Sequence, residues 1–192
     1  MNRVLALLVA ALTALAGCAA GPPETREILD EETGNTFFVA TRPLVFARNR
    51  SDVAAFTRDY VTLVAVAVNS SGKYSEYLLL YRWSTVDRRM LPPSDPKAGE
   101  LRILADARTL DLQPLEEVPV SLASRAELHD PNHGDAITHA YKMDLKTLHF
   151  LAASRTLEVR LPQEALDTPF GLFQDGRPDL DRFVAAQGER TR

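Results

Sequence analysis

Side chains able to do chemistry concentrate in one short stretch and at one isolated position. The stretch holds His129, Asp130, His133, Asp135 and His139. Imidazole and carboxylate together suit zinc or a similar divalent ion, and a metal held there would make the 129–139 loop the centre of a metal-dependent envelope hydrolase. His129 and His133 stand four apart, a spacing that aligns two ligands on a helix, but Pro131 and Gly134 break any helix there. A segment of Asp, Pro, Asn and Gly is also the composition of a plain polar turn. The sequence therefore assigns no metal, and His129, His133, Asp135 and His139 stand only as candidate ligands. The isolated position is Cys18, the only cysteine in 192 residues, so no disulfide can form within the chain.

Other catalytic arrangements are not in the sequence. There is no Gly-x-Ser-x-Gly elbow, phosphate loop, dinucleotide fingerprint or zinc-finger spacing. The paired acids Glu31-Glu32 and Glu116-Glu117 are adjacent, and on a strand they point to opposite faces rather than toward one substrate. No catalytic residue and no cofactor is assigned. A formal net charge of −4, with no long Lys/Arg tract, excludes a nucleic-acid binder of the usual basic kind.

The first residues carry an address. Arg3 gives a positive start, Val4 to Ala16 form an apolar run broken only by Thr13, and small residues follow. That order is a secretory signal. The run is well short of the ~20 residues a helix needs to cross a bilayer, so it reads as a removable leader rather than an anchor. Leu15-Ala16-Gly17-Cys18 closes it and resembles the lipobox of bacterial membrane lipoproteins. The resemblance covers only this leader. It implies that the Cys18 thiol receives a diacylglycerol group, that cleavage follows Gly17, and that the new amino terminus is acylated with a fatty acid such as palmitate. Two or three acyl chains together hold a protein stably on a membrane. Ala19 and Ala20 follow the cysteine, whereas the pattern that retains lipoproteins at the inner membrane has Asp there. By this analogy the protein sits on the periplasmic face of the outer membrane if its source is Gram-negative, and on the outside of the only membrane if it is Gram-positive.

The expected layout is a signal peptide at 1–17, a lipidated Cys18 and linker at 18–26, one β-rich domain at 27–188 and a tail at 189–192. Once Arg3 leaves with the leader, the balance becomes one unit more acidic. Charged content of 25% and apolar content of 45% are those of a globular domain with a real core.

Thr36 to Thr41 has the β-branched and aromatic content of a strand in a hairpin, and Leu44 to Ala47 reads as a short strand after Arg42-Pro43. Arg42, Arg48 and Arg50 read as solvated side chains, with a lipid-headgroup patch as the alternative. Ser51 caps a predicted short helix through Arg58. Tyr60 to Asn69 is the strongest strand, apolar on both faces and so central. The turn at 69–73 returns it through Ser75 to Ser84. There Tyr77, Leu79, Tyr81 and Trp83 share one face, read as core rather than as a surface for sugar or peptide. Thr85 to Glu100, with three prolines, is a surface loop. Leu101 to Ala105, Thr109 to Leu112, Val118 to Ala123, Ile137 to Asp144 and Thr156 to Leu161 are further strands. Asp144 caps a helical turn that buries Leu145, Leu148, Leu151 and Ala152. Phe170, Leu172 and Phe173 cover the end of the core, and Pro178 to Gln187 forms a last helix with Gly188 after it.

The pattern predicts a mainly β fold, an immunoglobulin-like or related β-sandwich with one or two short helices near the C-terminus. The functional expectation is a lipid-anchored envelope lipoprotein acting as a non-catalytic binding or structural module in a periplasm-facing assembly. Its partners are the membrane, through Cys18, and an envelope protein. The alternatives are the metal-dependent hydrolase and a carrier of an apolar ligand lined by the aromatic row.

Overall fold

A computed structural model describes residues 25–86, 99–119, 122, 137–162 and 168–191. The leader with Cys18, most of the Pro-rich loop, and His129, Asp130, His133 and Asp135 lie outside the described residues.

The frame is one long hairpin, β4 (Arg58–Ser70) and β5 (Lys73–Ser84), paired from Asp59↔Ser84 to Ser70↔Lys73. The intervening Ser71 and Gly72 both take positive φ, 53° and 84°, the backbone a tight hairpin with the right twist requires. Asn69 secures the turn by accepting the Gly72 N–H at 2.8 Å. One side of β4 is shared end to end. β3 (Leu44–Asn49) pairs with its first half and β2 (Thr36–Ala40) with its second, and β1 (Thr25–Leu29) adds outside β2. β8 (Ile137–Met143) lies along the other side of β5. From β3 the sheet continues through β10 (Phe170–Gln174), β9 (Leu157–Arg160), β6 (Leu101–Ala105) and β7 (Arg108–Leu112), every pairing antiparallel.

Alternation along β4 divides the interior in two. Val61, Leu63, Ala65 and Ala67 face a large cluster with Leu78 and Leu80 of β5, Tyr141 of β8, and Leu101, Ile103 and Val159 of β6 and β9. The sheet therefore folds back on itself, and the Tyr141 hydroxyl donates to the Gly99 carbonyl where the layers meet. Val64 and Val66 face a second cluster with Phe37, Val39, Leu79, Tyr81 and Ala140, covered by Leu115, Val118 and Leu122. The fold is mainly β and sandwich-like, with two helices near the C-terminus, and β4 is buried on both faces as its composition predicts.

Helix α1 (Leu145–Ala153) starts where Asp144 accepts the Thr147 N–H at 2.7 Å, and it buries Leu148 and Leu151. The cap is the expected one, worth about 1 kcal/mol. Helix α2 (Arg177–Arg190) begins with Pro178 in its first turn and buries Leu180, Phe183 and Gln187. It runs through Gly188 instead of ending there. The last turn is held beyond the glycine because the Arg190 guanidinium lies 3.9 Å over the Phe38 ring, which offsets the ~1 kcal/mol that an interior glycine costs. Gln187 is fully buried, yet neither amide atom has a hydrogen-bond partner among the described residues. Gln187→Met keeps the length and removes the desolvation cost, so it is expected to raise stability by about 1–3 kcal/mol, read from thermal unfolding.

Four local expectations are corrected. The segment 51–57 is a turn, not a helix, and Arg58 opens β4, because the Arg50 N–H to Thr57 carbonyl bond at 2.9 Å closes the loop between paired strands. Val118 and Pro119 are not in a strand. Leu115 donates one bond to Ala140 of β8, and the prolines at 114 and 119 withhold further ladder donors, so the chain leaves the sheet edge. Phe170 to Gln174 is a strand rather than an irregular cover, and β1 takes Thr25 and Arg26 out of the expected linker.

Candidate functional site

One end of the central hairpin concentrates the charged and aromatic side chains. Register places Arg48 of β3 and Ser84 of β5 on either side of Asp59. One Asp59 oxygen accepts from Arg48 at 2.9 Å (Nη2) and 3.2 Å (Nε) and from Arg50 at 2.9 Å, and the other from the Ser84 hydroxyl at 2.6 Å. Burial favours the neutral acid, but the bonds from Ser84, Arg48 and Arg50 outweigh it and hold the Asp59 carboxyl below its ordinary range. Arg50 also clasps Asp52, and the Arg48 guanidinium sits 4.3 Å over the Phe170 ring. Arg48 and Arg50 are each only 7% exposed, so neither the solvated nor the headgroup-patch reading holds for them. Asp59 is committed to four donor bonds, which makes it a structural anchor rather than a free base.

The opposite face of the same strands carries an aromatic shelf. Tyr60 and Trp83 are direct cross-strand neighbours and stack 3.8 Å apart with their planes 4° from parallel. The β10 register slips between Leu172 and Gln174, a bulge that re-aims the residue between them. That residue, Phe173, meets Tyr60 edge-on at 5.5 Å, stays 57% exposed and lies 5.5 Å beneath the Arg58 guanidinium. Beyond the shelf is the β3–β4 turn, whose Ala54, Ala55 and Phe56 are exposed, Phe56 to 99%. Phe56 holds φ at 66°, a left-handed conformation that costs a bulky L-residue roughly 1–2 kcal/mol. Because its side chain packs on nothing, Phe56→Asn is expected to stabilise the fold by about 1 kcal/mol, seen as a higher urea midpoint at unchanged slope.

No protein family, curated protein or solved structure matches the chain. The site therefore rests on its own geometry.

Of the metal candidates only His139 is described. It lies on β8 opposite Leu80, nearly buried, with Nε2 lacking a hydrogen-bond partner among the described residues. Burial, then the positive charge of Arg82, push its pKa down, and a guanidinium that close opposes a second cation. No group of three or more His, Cys, Asp or Glu side chains converges among the described residues. The aromatic row divides: Tyr77, Leu79 and Tyr81 belong to the second core cluster, whereas Trp83 joins the shelf. Phe56, Arg58, Tyr60 and Phe173 were not signalled as a site. The sign available was the run Val53-Ala54-Ala55-Phe56, too apolar for a turn and without a helical stripe.

Proposed function

We propose that this chain is a lipid-tethered, non-catalytic binding module of the bacterial envelope, anchored at Cys18 and making contact through an aromatic–arginine shelf in which Trp83, Phe173 and Arg58 reach the surface over the buried ring of Tyr60. The observation that carries the reading is the shelf itself: flat rings and a cation held at one end of a rigid sheet, with Phe173 turned outward by a bulge. Aromatic rings joined to a cation are what contact surfaces enrich. The leader and its lipobox supply the tether, and the mildly acidic balance of the chain fits a partner other than nucleic acid.

Cross-linking in intact cells tests this, comparing wild type with Cys18→Ser and with Trp83→Ala. Wild type is expected in the membrane fraction with a defined set of cross-links at the shelf. Cys18→Ser should become soluble, and Trp83→Ala should remain anchored but lose the shelf cross-links. A Cys18→Ser protein that stays membrane-bound overturns the tether, and unchanged cross-links in Trp83→Ala overturn the shelf.

A further inference from the structure

Resting on the tethered reading above, which it deepens, we propose a specific contact: the β3–β4 turn is a membrane-inserting tip, with Val53 to Phe56 entering a phospholipid bilayer and Arg58, Trp83 and Phe173 lying at headgroup level.

Four consecutive apolar residues form the tip, and Ala54, Ala55 and Phe56 are exposed there. An exposed run of that kind on a turn works against solubility unless something apolar receives it. The tip is also prepared for insertion. Its backbone bonds inward, with the Val53 and Ala54 N–H groups donating to the Arg50 carbonyl and the Thr57 N–H and hydroxyl to the Ala54 carbonyl. Fewer polar groups would then need water in the lipid. The Phe56 backbone is left-handed there and its ring is 99% exposed. The flanking charge is settled as well, since Asp52 is clasped by Arg50. Behind the tip stand Trp83, part-exposed over the buried Tyr60 ring and of the type that collects at membrane interfaces, and Arg58, whose charge suits lipid phosphates.

The tether reaches the same surface. β1 begins at Thr25 opposite Ala40, near the middle of β4, and runs away from the tip. From the Ala65 level to Arg58 is about 23 Å of strand, and the residues from Cys18 to Thr25 span up to about 25 Å. Lipid at Cys18 and the Phe56 tip can therefore engage one bilayer together.

Trp83 is the only tryptophan in the chain, so fluorescence reports on this corner alone. The test uses the mature chain carrying Cys18→Ser, mixed with phosphatidylethanolamine–phosphatidylglycerol vesicles with and without brominated acyl chains. Trp83 emission should shift to the blue and be quenched by bromine. Phe56→Ser should weaken partitioning roughly tenfold, the ratio that burying one aromatic side chain is worth, while Phe56→Leu retains it. Circular dichroism confirms that both variants fold. An unshifted, unquenched Trp83 overturns the inserting tip even where wild type is membrane-bound. A response to soluble envelope glycans and not to vesicles overturns it in favour of a sugar site. Quenching of Cys18→Ser when wild type incorporates no labelled palmitate supports the tip and removes the tether.

Discussion

Asp59→Ala is expected to destabilise the fold by about 3–5 kcal/mol, the usual cost of stripping the partner from buried charge. The carboxylate accepts from Arg48, Arg50 and Ser84, and both arginine side chains are less than 10% exposed. Without it two guanidinium groups remain close together, and Arg50 keeps a carboxylate partner in Asp52, itself half exposed. Asp59→Asn keeps the volume and the Ser84 contact and should lose somewhat less. Chemical denaturation of both variants measures this, and a loss below 1 kcal/mol for Asp59→Ala would mean the network is ornamental. The pH dependence has a definite sign. Asp59's folded pKa lies below the ordinary value of ~3.9, so its stabilisation is complete above that value and is lost as pH falls through the folded pKa. Wild-type stability should therefore drop in acid below about pH 4, and Asp59→Asn should flatten that limb.

Legibility in the sequence followed how local the causes are. The β4–β5 hairpin was readable because a Val-rich strand, an Asn-Ser-Ser-Gly turn and an alternating return strand each declare themselves within a few residues. So was the Asp144 cap, which needs only Thr147 three positions on. β10 was hidden because Gly171 and its bulge break alternation, and the strand exists only by pairing with β3 and β9, which are distant in sequence. The same holds for Arg48 and Arg50. They looked solvated until register brought Asp59 between them and Ser84.

The candidate site shows the same limit more sharply. A period of two placed Trp83 correctly with Tyr77, Leu79 and Tyr81, yet burial along that face changes where the cover by Leu115, Val118 and Leu122 gives way to the shelf. Periodicity assigns a face and is silent on what covers it. Ser51 with Asp52 was read as a helix start, but Asp52 pairs with Arg50 and the segment closes as a loop, so local capping chemistry yielded to tertiary pairing. The apolar tip was consequently included in a short helix from Ser51 through Arg58 that the structure does not form.

Phe183→Ala should cost about 3–5 kcal/mol as well, but through a different part of the molecule. Phe183 is fully buried in the main cluster, one turn from Leu180 and facing α1 and the β1–β2–β4 region. α2 begins where Gly176 approaches the Arg42 and Pro43 carbonyls and ends over Phe38, so it runs away from the Phe56 tip. A helix of this length is marginal alone and depends on the ring that docks it. For a domain of this size each kcal/mol moves the melting temperature by about 2–4 °C, so a fall of roughly 10 °C is expected. At temperatures where the variant remains folded, Trp83 emission and its quenching by brominated vesicles should match wild type. Phe56→Ser should give the converse, an unchanged or higher melting temperature with weakened partitioning. If the Phe183 variant instead loses the vesicle signal while folded, tip and helix are coupled, and the shelf would have to be treated as part of the main core rather than as a separate contact surface.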